Sequence, residues 1–474
     1  MSSFLYGKNF QIKNVDSIPT IDFIIDKAQK TRRRTMLKEF IKYAVPSALA
    51  MFISSLYTVV DGIFVGQGVG DMALAAVNIV LPFTVLLFGL ASMFAIGGGS
   101  LVSKNIGAGK IEDAVNIFRQ VFKFLLIISG IISIICVVFT EQIVRILGAT
   151  DNLSGLAVDY LRYYAIFCIP NLIGIVLNSF VRNDGRPRLA MISTIAGAIT
   201  NIILDYVFIF PFGLGIKGAA IATGLGQIVT VLILLPHFIN KIGYLSFGNV
   251  KLKFSDLKTF SMIGFPSFFA QFSYSIIVLI HNVMLVKSLG EIGISSYSII
   301  NYITTNTYMV LYGITLGVQP LISYNYGKKD GKKMLGFYKI TCTTSILVTG
   351  IFVLISFVFG KSLIGIFTSD PEISKIAYFA LSVASFSYFA VGFNLNTLVY
   401  YQALEKPRYS NLSCLLRSVV YLPISLIVLY YIFGANGIWG GTILSESLTL
   451  ITIMLLANVK KSTKHALALD SISK

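Results

Sequence analysis

The chain has 474 residues, 55% hydrophobic and 12% charged, with a mean hydropathy of +0.79 and a formal net charge of +17. A soluble globular chain carries about 25% charged residues, so most of this chain has no water to face, which excludes an ordinary soluble enzyme or binding module. Three histidines without a His-x-x-x-His pair, and four isolated cysteines (Cys136, Cys168, Cys342, Cys414), argue against a metal enzyme and a disulfide framework.

The first 35 residues carry charge throughout and have no uninterrupted apolar stretch. That speaks against a cleaved signal peptide and for a cytoplasmic arm with a short amphipathic helix at the membrane surface. Nearly uncharged runs of roughly 20 residues then recur, each long enough to cross a hydrocarbon core of ~30 Å as helix. Twelve spans are expected, at 40–64, 74–99, 118–140, 156–181, 187–210, 216–238, 260–285, 294–323, 335–359, 374–402, 408–433 and 437–458. Their length, and the lack of period-two alternation, favour helices over barrel strands. The segment 239–259 is the longest between spans and is basic. The expected organisation is an all-α polytopic membrane protein: an arm at 1–35, an N-lobe of six spans at 36–238, a linker at 239–259, a C-lobe of six spans at 260–460 and a tail at 461–474.

The basic balance records topology rather than nucleic-acid binding. Of the Lys and Arg residues, 31 fall on one side of the spans, 6 on the other, and Arg417 within a span. The rich side holds Arg32-Arg33-Arg34, the linker, Lys328, Lys329, Lys332, Lys333 and the tail from Lys460. This positive-inside pattern predicts two cytoplasmic termini in a multi-pass cell-membrane protein, with anionic lipid as a partner and no nucleic acid.

The two halves repeat one another. Val45-Pro46-Ser47 answers Phe265-Pro266-Ser267; Ser103, Asn105 and Gly107 answer Ser323, Asn325 and Gly327; Arg186-Pro187-Arg188 answers Lys406-Pro407-Arg408. The offset is 220 residues over about 140 residues and slips to 222 where Ile216-Lys217-Gly218 answers Ile438-Trp439-Gly440. Six spans per half is an even number, so both halves enter the membrane in the same sense, a parallel repeat of the kind found in secondary transporters. Pro46 and Pro266 fall early in the first span of each lobe, and Pro46 is a candidate hinge because proline removes a helix hydrogen bond.

Ionisable groups at membrane depth are costly and mark a function or an ion pair. Asp159 is expected to pair with Arg162 near an outer helix end. Asp61, Asp205 and Glu446 remain, with Arg417 and His281. Counted from the nearest basic residue, Asp61 lies about 28 Å and Asp205 about 25 Å up outward-running helices; Asn201 is one turn below Asp205, and Thr223 lies about 12 Å below the outer surface. Two carboxylates, an amide and a hydroxyl at similar depth suit a hard monovalent cation such as Na⁺, or a shared proton. Tyr160, near the outer end of the fourth span, is placed to donate to one carboxylate. The plainer reading, local capping or pairing, lacks a Lys or Arg at matching depth in that lobe. Arg417 and Glu446 lie at nearly the same depth and are expected to form a structural ion pair. His281 stands at the repeat position of Asp61 and is read as a core histidine.

At these residues the sequence resembles the multidrug and toxic compound extrusion (MATE) family. The resemblance covers about 36–460 and rests on Val60-Asp61-Gly62 with Pro46 before it, Arg182-Asn183-Asp184-Gly185-Arg186-Pro187, Asn201-x-x-x-Asp205 followed by Thr223, and the repeat. It implies an antiporter, not an enzyme, that exports organic, mainly cationic, drugs or toxins in exchange for Na⁺ or H⁺, without a cofactor and as a monomer. It also implies an N-lobe cation site at Asp61, Tyr160, Asn201, Asp205 and Thr223, and a first helix that rearranges near Pro46. The seventh and tenth spans carry no acids, so a C-lobe cation site is not expected. A drug cleft between the lobes is expected to include Met51, Phe52, Tyr57, Tyr274, Tyr302, Tyr308 and Met309. The alternative is a flippase for lipid-linked saccharides, which would require basic residues in the cleft. A membrane-embedded enzyme or a passive channel lacks the catalytic constellation or symmetric charge rings it needs.

Overall fold

A computed structural model describes the backbone of residues 21–470; the beginning of the arm and the last four residues lie outside the described residues. The elements are helical: α1 (Ile21–Gly68), α2 (Asp71–Gly107), α3 (Ile111–Val138), α4 (Thr140–Ile146), α5 (Asp151–Ile166), α6 (Cys168–Asn183), α7 (Pro187–Ile209), α8 (Gly215–Ile239), α9 (Phe254–Gly327), α10 (Gly331–Gly365), α11 (Pro371–Ser385), α12 (Ser387–Ala403), α13 (Pro407–Leu415), α14 (Tyr421–Phe433), α15 (Ala435–Ile438) and α16 (Gly441–Asp470), with a π-turn at Leu416–Val420. Among the described residues, eight helices are long and apolar enough to cross a membrane, or ten if each of two bent pairs is one span.

Two runs read as straight spans are bent. The α5–α6 pair turns by 53° and the α11–α12 pair by 43°. The breaks fall at Phe167 and Phe386, within one residue of the same repeat position. The 74 residues of α9 would extend about 111 Å as one rod, but the rod is interrupted at Gly290, with φ 63 and ψ −145. That backbone conformation is essentially confined to glycine, and Gly434 repeats it (φ 62, ψ −148) between α14 and α15. At the other end, α1 begins at Ile21, so the part of the expected surface helix that is described runs on into the first apolar segment.

Side chains explain the medium. Ile134, Leu347 and Leu455 are 67%, 62% and 60% exposed, part of an apolar surface that hydrocarbon can cover and water cannot. Inside, Phe118, Phe180 and Phe238 anchor the first half, with Phe118 stacked on Phe238 at 4.7 Å. In the second half, Leu285, Leu381, Leu422 and Trp439 form the matching core. The segment after α8 straps back onto the first core: Phe247 packs on Phe118 and Phe122, and Arg119 Nε donates to the Ser246 carbonyl at 3.0 Å.

The halves meet through α1 and α2 against α9. Met36, Phe40 and Ala44 pack with Ile314, Val318 and Ile322. A Cβ on Gly264 would overlap the Met93 carbonyl, and one on Gly97 the Phe260 carbonyl, so the helices touch backbone to backbone there. These contacts lie in the half nearer the linker. Toward the opposite end, Gly62 and Gly290 face open space. The closest backbone contacts between the halves thus form a seam at the linker end.

Candidate functional site

Four helices of the first half converge on the candidate residues. Tyr57 and Asp61 come from α1, Tyr160 from α5, Asn201 and Asp205 from α7, and Thr223 from α8. Asn201 and Asp205 share a face of α7 because they are one turn apart. One turn earlier, Gly197 lies against the Gly226 carbonyl and Thr230, which lets α7 and α8 approach closely.

Asp205 is fully buried and Asn201 3% exposed, while Asp61 is half-buried. The Asp61 and Asp205 carboxylates lie within hydrogen-bonding reach of one another. Tyr57 and Tyr160 lie close enough to both to feel their charge. Asn201 Nδ2 donates to Thr223 Oγ1 at 3.4 Å. Asp61 Oδ1, Asn201 Oδ1 and both Asp205 oxygens are buried without a hydrogen-bond donor. Orphaned buried acceptors are costly. A cation or a shared proton would satisfy them, and the all-oxygen donor set suits a hard ion such as Na⁺. Among the described residues no group of three or more His, Cys, Asp or Glu could hold a metal ion.

Asn201 and Thr223 also line a cavity of about 220 Å³ that opens between α1, α2, α5, α6, α7, α8 and α9. Met51 and Tyr57, two of the expected cleft residues, line it, joined by Tyr312 from the second half. Tyr302 is 52% exposed and Tyr274 38% exposed, and Tyr308 stacks on Tyr312 at 6.1 Å.

One cavity residue overturns an expectation. The first half does hold an interior cation: Arg182 lines the cavity, is 6% exposed, and its Nε has no partner. The Arg182-Asn183 pair lies just past the expected span 156–181 but forms the last turn of α6. The available signal was helical spacing, since Asn171, Asn178 and Arg182 fall on one face and all line the cavity. Asn171 Nδ2 is likewise a buried donor without an acceptor. The cavity thus carries unpartnered donors as well as acceptors.

The other interior charges have partners. Arg417 Nη2 lies 2.6 Å from Glu446 Oε1, and Asn394 Nδ2 donates to Glu446 Oε2 at 2.6 Å. His281 is 3% exposed, with Nδ1 2.8 Å from the Ile277 carbonyl and its ring stacked on Tyr297. Asp159 pairs with Lys217 at 3.3 Å instead of the expected Arg162, because the start of α8 meets α5 at that helix end. Pro46 lies inside α1, which stays a continuous helix here.

The MatE family profile matches residues 46–207 and 266–427. The multidrug export protein MepA of Staphylococcus saprophyticus is 29% identical over 430 residues, covering 90% of this chain and 94% of its own. MepA of Staphylococcus aureus is 26% identical over 429 residues, covering 89% and 93%. Among solved structures, an outward-facing multidrug resistance MATE family transporter of the MOP superfamily superimposes with a TM-score of 0.85 at 23% identity, over 90% of this chain and 96% of its own. The Vibrio cholerae MATE transporter VcmN, in a mutant form, gives 0.85 at 21% identity, over 91% and 98%.

Proposed function

The chain belongs to the MatE family, and on that premise we propose that it is a monomeric multidrug efflux antiporter that exports organic, mainly cationic, compounds in exchange for Na⁺ or H⁺. The relatives it resembles are named transporters rather than enzymes. One observation carries the coupling: the buried Asp205 and half-buried Asp61 carboxylates within reach of each other, with both Asp205 oxygens and Asp61 Oδ1 unpartnered, beside an amide and a hydroxyl on the wall of a cavity. Two carboxylates so placed repel when both are ionised, and a single bound cation or proton relieves that repulsion.

In this reading α9 counts as two spans, each bent pair as one, and Gly441–Leu456 as the last, which gives twelve in two parallel lobes. The basic linker side faces the cytoplasm with both termini. The closed seam at that side supports reading this conformation as one in which the cytoplasmic side is shut in an alternating-access cycle. Drug enters from the cytoplasm or inner leaflet into the cleft, and the external ion then occupies Asp61 and Asp205 and disfavours the drug-bound outward state. A proton moving down one pH unit supplies about 1.4 kcal/mol, enough to bias the exchange about tenfold.

The flippase alternative gains support from one observation, the Arg182 guanidinium in the cavity, whose Nε has no partner and which suits an anionic headgroup. Ethidium efflux from vesicles under imposed Na⁺ or pH gradients tests the main reading. Gradient-dependent export by the wild type that is lost in Asp61→Asn and Asp205→Asn is expected. Wild-type export under neither gradient would sink antiport, and wild-type rates in both variants would sink the site.

A further inference from the structure

The seam between the lobes ends in a contact that is self-complementary under the repeat. Gly107 at the end of α2 packs on the backbone carbonyl of Tyr324, and Gly327 at the end of α9 packs on the backbone carbonyl of Lys104. Position 107 answers 327 and 104 answers 324, so the two helix ends make one isologous contact about the pseudo-two-fold axis. A Cβ on either glycine would overlap a carbonyl oxygen, so the close approach requires both.

The polar groups beside this contact break the symmetry. Lys104 Nζ lies 2.6 Å from Glu405 Oε1 and 2.9 Å from Oε2, which ties α2 of the N-lobe to the α12–α13 turn of the C-lobe. The same ammonium lies 5.8 Å from the ring centroid of Tyr326. The repeat counterparts cannot form such a pair, because Lys104 is answered by Tyr324 and Glu405 by Gly185. Glu405 also holds a left-handed backbone, φ 56, where the N-lobe has Gly185 at φ 89. Glycine adopts that region freely and glutamate does not. Lys329 stands in the same region for Gly109 on an exposed turn. At 405 the non-glycine residue carries a carboxylate across the lobe boundary.

We propose that the Lys104–Glu405 pair is a latch on the cytoplasmic gate, closed in this conformation, which must part before substrate loads from that side. The proposal rests on the alternating-access reading above. Its side chains are 33% and 24% exposed, so water can reach the pair and the latch biases the gate without locking it.

Ser100 lies behind the latch, buried in the seam, where its Oγ accepts from Gln319 Nε2 at 2.8 Å. The assay is labelling of Ser100→Cys by a membrane-impermeant maleimide in inside-out vesicles. The chain with only its four native cysteines, all buried, serves as the blank. Adding Lys104→Met or Glu405→Gly is expected to raise the labelling rate about two- to five-fold, the bias a partly exposed ion pair supports. The charge-swapped Lys104→Glu/Glu405→Lys protein is expected to return to the parent rate. Glu405→Gly restores the residue the backbone prefers, so it should melt no lower than the parent, which separates gate opening from misfolding. Single variants that label at the parent rate, or a swap that labels as fast as they do, overturn the latch. The labelling needs no transport, so a wild type that fails to export ethidium would count against antiport alone.

Discussion

Glu446→Gln removes one charge from a pair that water scarcely reaches. The Arg417 and Glu446 side chains are 9% and 2% exposed. Glu446 Oε1 takes the Arg417 Nη2 donor, and Oε2 takes the Asn394 Nδ2 donor, at 2.6 Å each. A glutamine offers one oxygen and one NH₂, so in either orientation one of those donors faces another donor. Arg417 Nε is already without a partner, so the guanidinium would be left buried with no counter-charge. Breaking one member of a buried pair costs about 3–5 kcal/mol. Each kcal/mol lowers the midpoint of a lobe of roughly 200 residues by about 2–4 °C, so a fall of about 6 °C or more is expected. A thiol-reactive dye reads this on heating in detergent, because the native cysteines are buried and Cys414 lies one turn from Arg417. The Arg417→Met/Glu446→Leu protein should recover most of the loss, since replacing both charges by apolar groups is often neutral. A Glu446→Gln midpoint within about 2 °C of wild type, or a double variant that melts below the single one, would refute this reasoning.

Two further outcomes follow from the packing. Asp184 is buried beside His237 Nε2 at 2.8 Å and accepts from the Tyr244 and Leu245 backbone N–H groups at 2.9 and 3.1 Å, so it pins the linker to the N-lobe. Asp184→Asn should loosen that strap by about 1–3 kcal/mol and speed trypsin cleavage at Lys251 or Lys253 about five-fold or more in inside-out vesicles; an unchanged rate would show that the linker is held elsewhere. A methyl group at position 264 would meet the Met93 carbonyl, whereas one at position 130 would meet open space. At matched expression, ethidium export should fall several-fold in Gly264→Ala and stay near wild type in Gly130→Ala; equal rates would mean that the seam need not close that tightly.

The all-helical, membrane-capable character was legible because an apolar run of about 20 residues leaves the backbone little choice in hydrocarbon. The 260–285 and 294–323 segments fall on either side of the break at Gly290. The slip of the repeat from 220 to 222 falls between Arg408 and Ile438, a stretch that also contains the π-turn at Leu416–Val420. Depth arithmetic gathered Asp61, Asn201, Asp205 and Thr223 because helical rise is regular; in the structure Asn201 and Thr223 meet on the cavity wall, and Asp61 and Asp205 lie near each other beside them. The bend at Phe386 was not legible, because a kink leaves the hydrophobic pattern unbroken, whereas the bend at Phe167 has a local signal in Pro170 three residues on. Arg182 was hidden by its place at a helix end beside Gly185-Arg186-Pro187, which reads as a turn. The Lys104–Glu405 and Asp159–Lys217 pairs join residues 301 and 58 positions apart, which no local pattern encodes.

The central claim is that the ion held between Asp61 and Asp205 is the one exchanged for drug. Its most direct test is drug-driven ion counterflow in proteoliposomes, with Na⁺- and pH-sensitive dyes inside and ethidium added as substrate. Ethidium should drive counterflow of Na⁺ or H⁺ through the wild type, and none above empty liposomes through Asp205→Asn. Counterflow of wild-type size through Asp205→Asn would contradict the account.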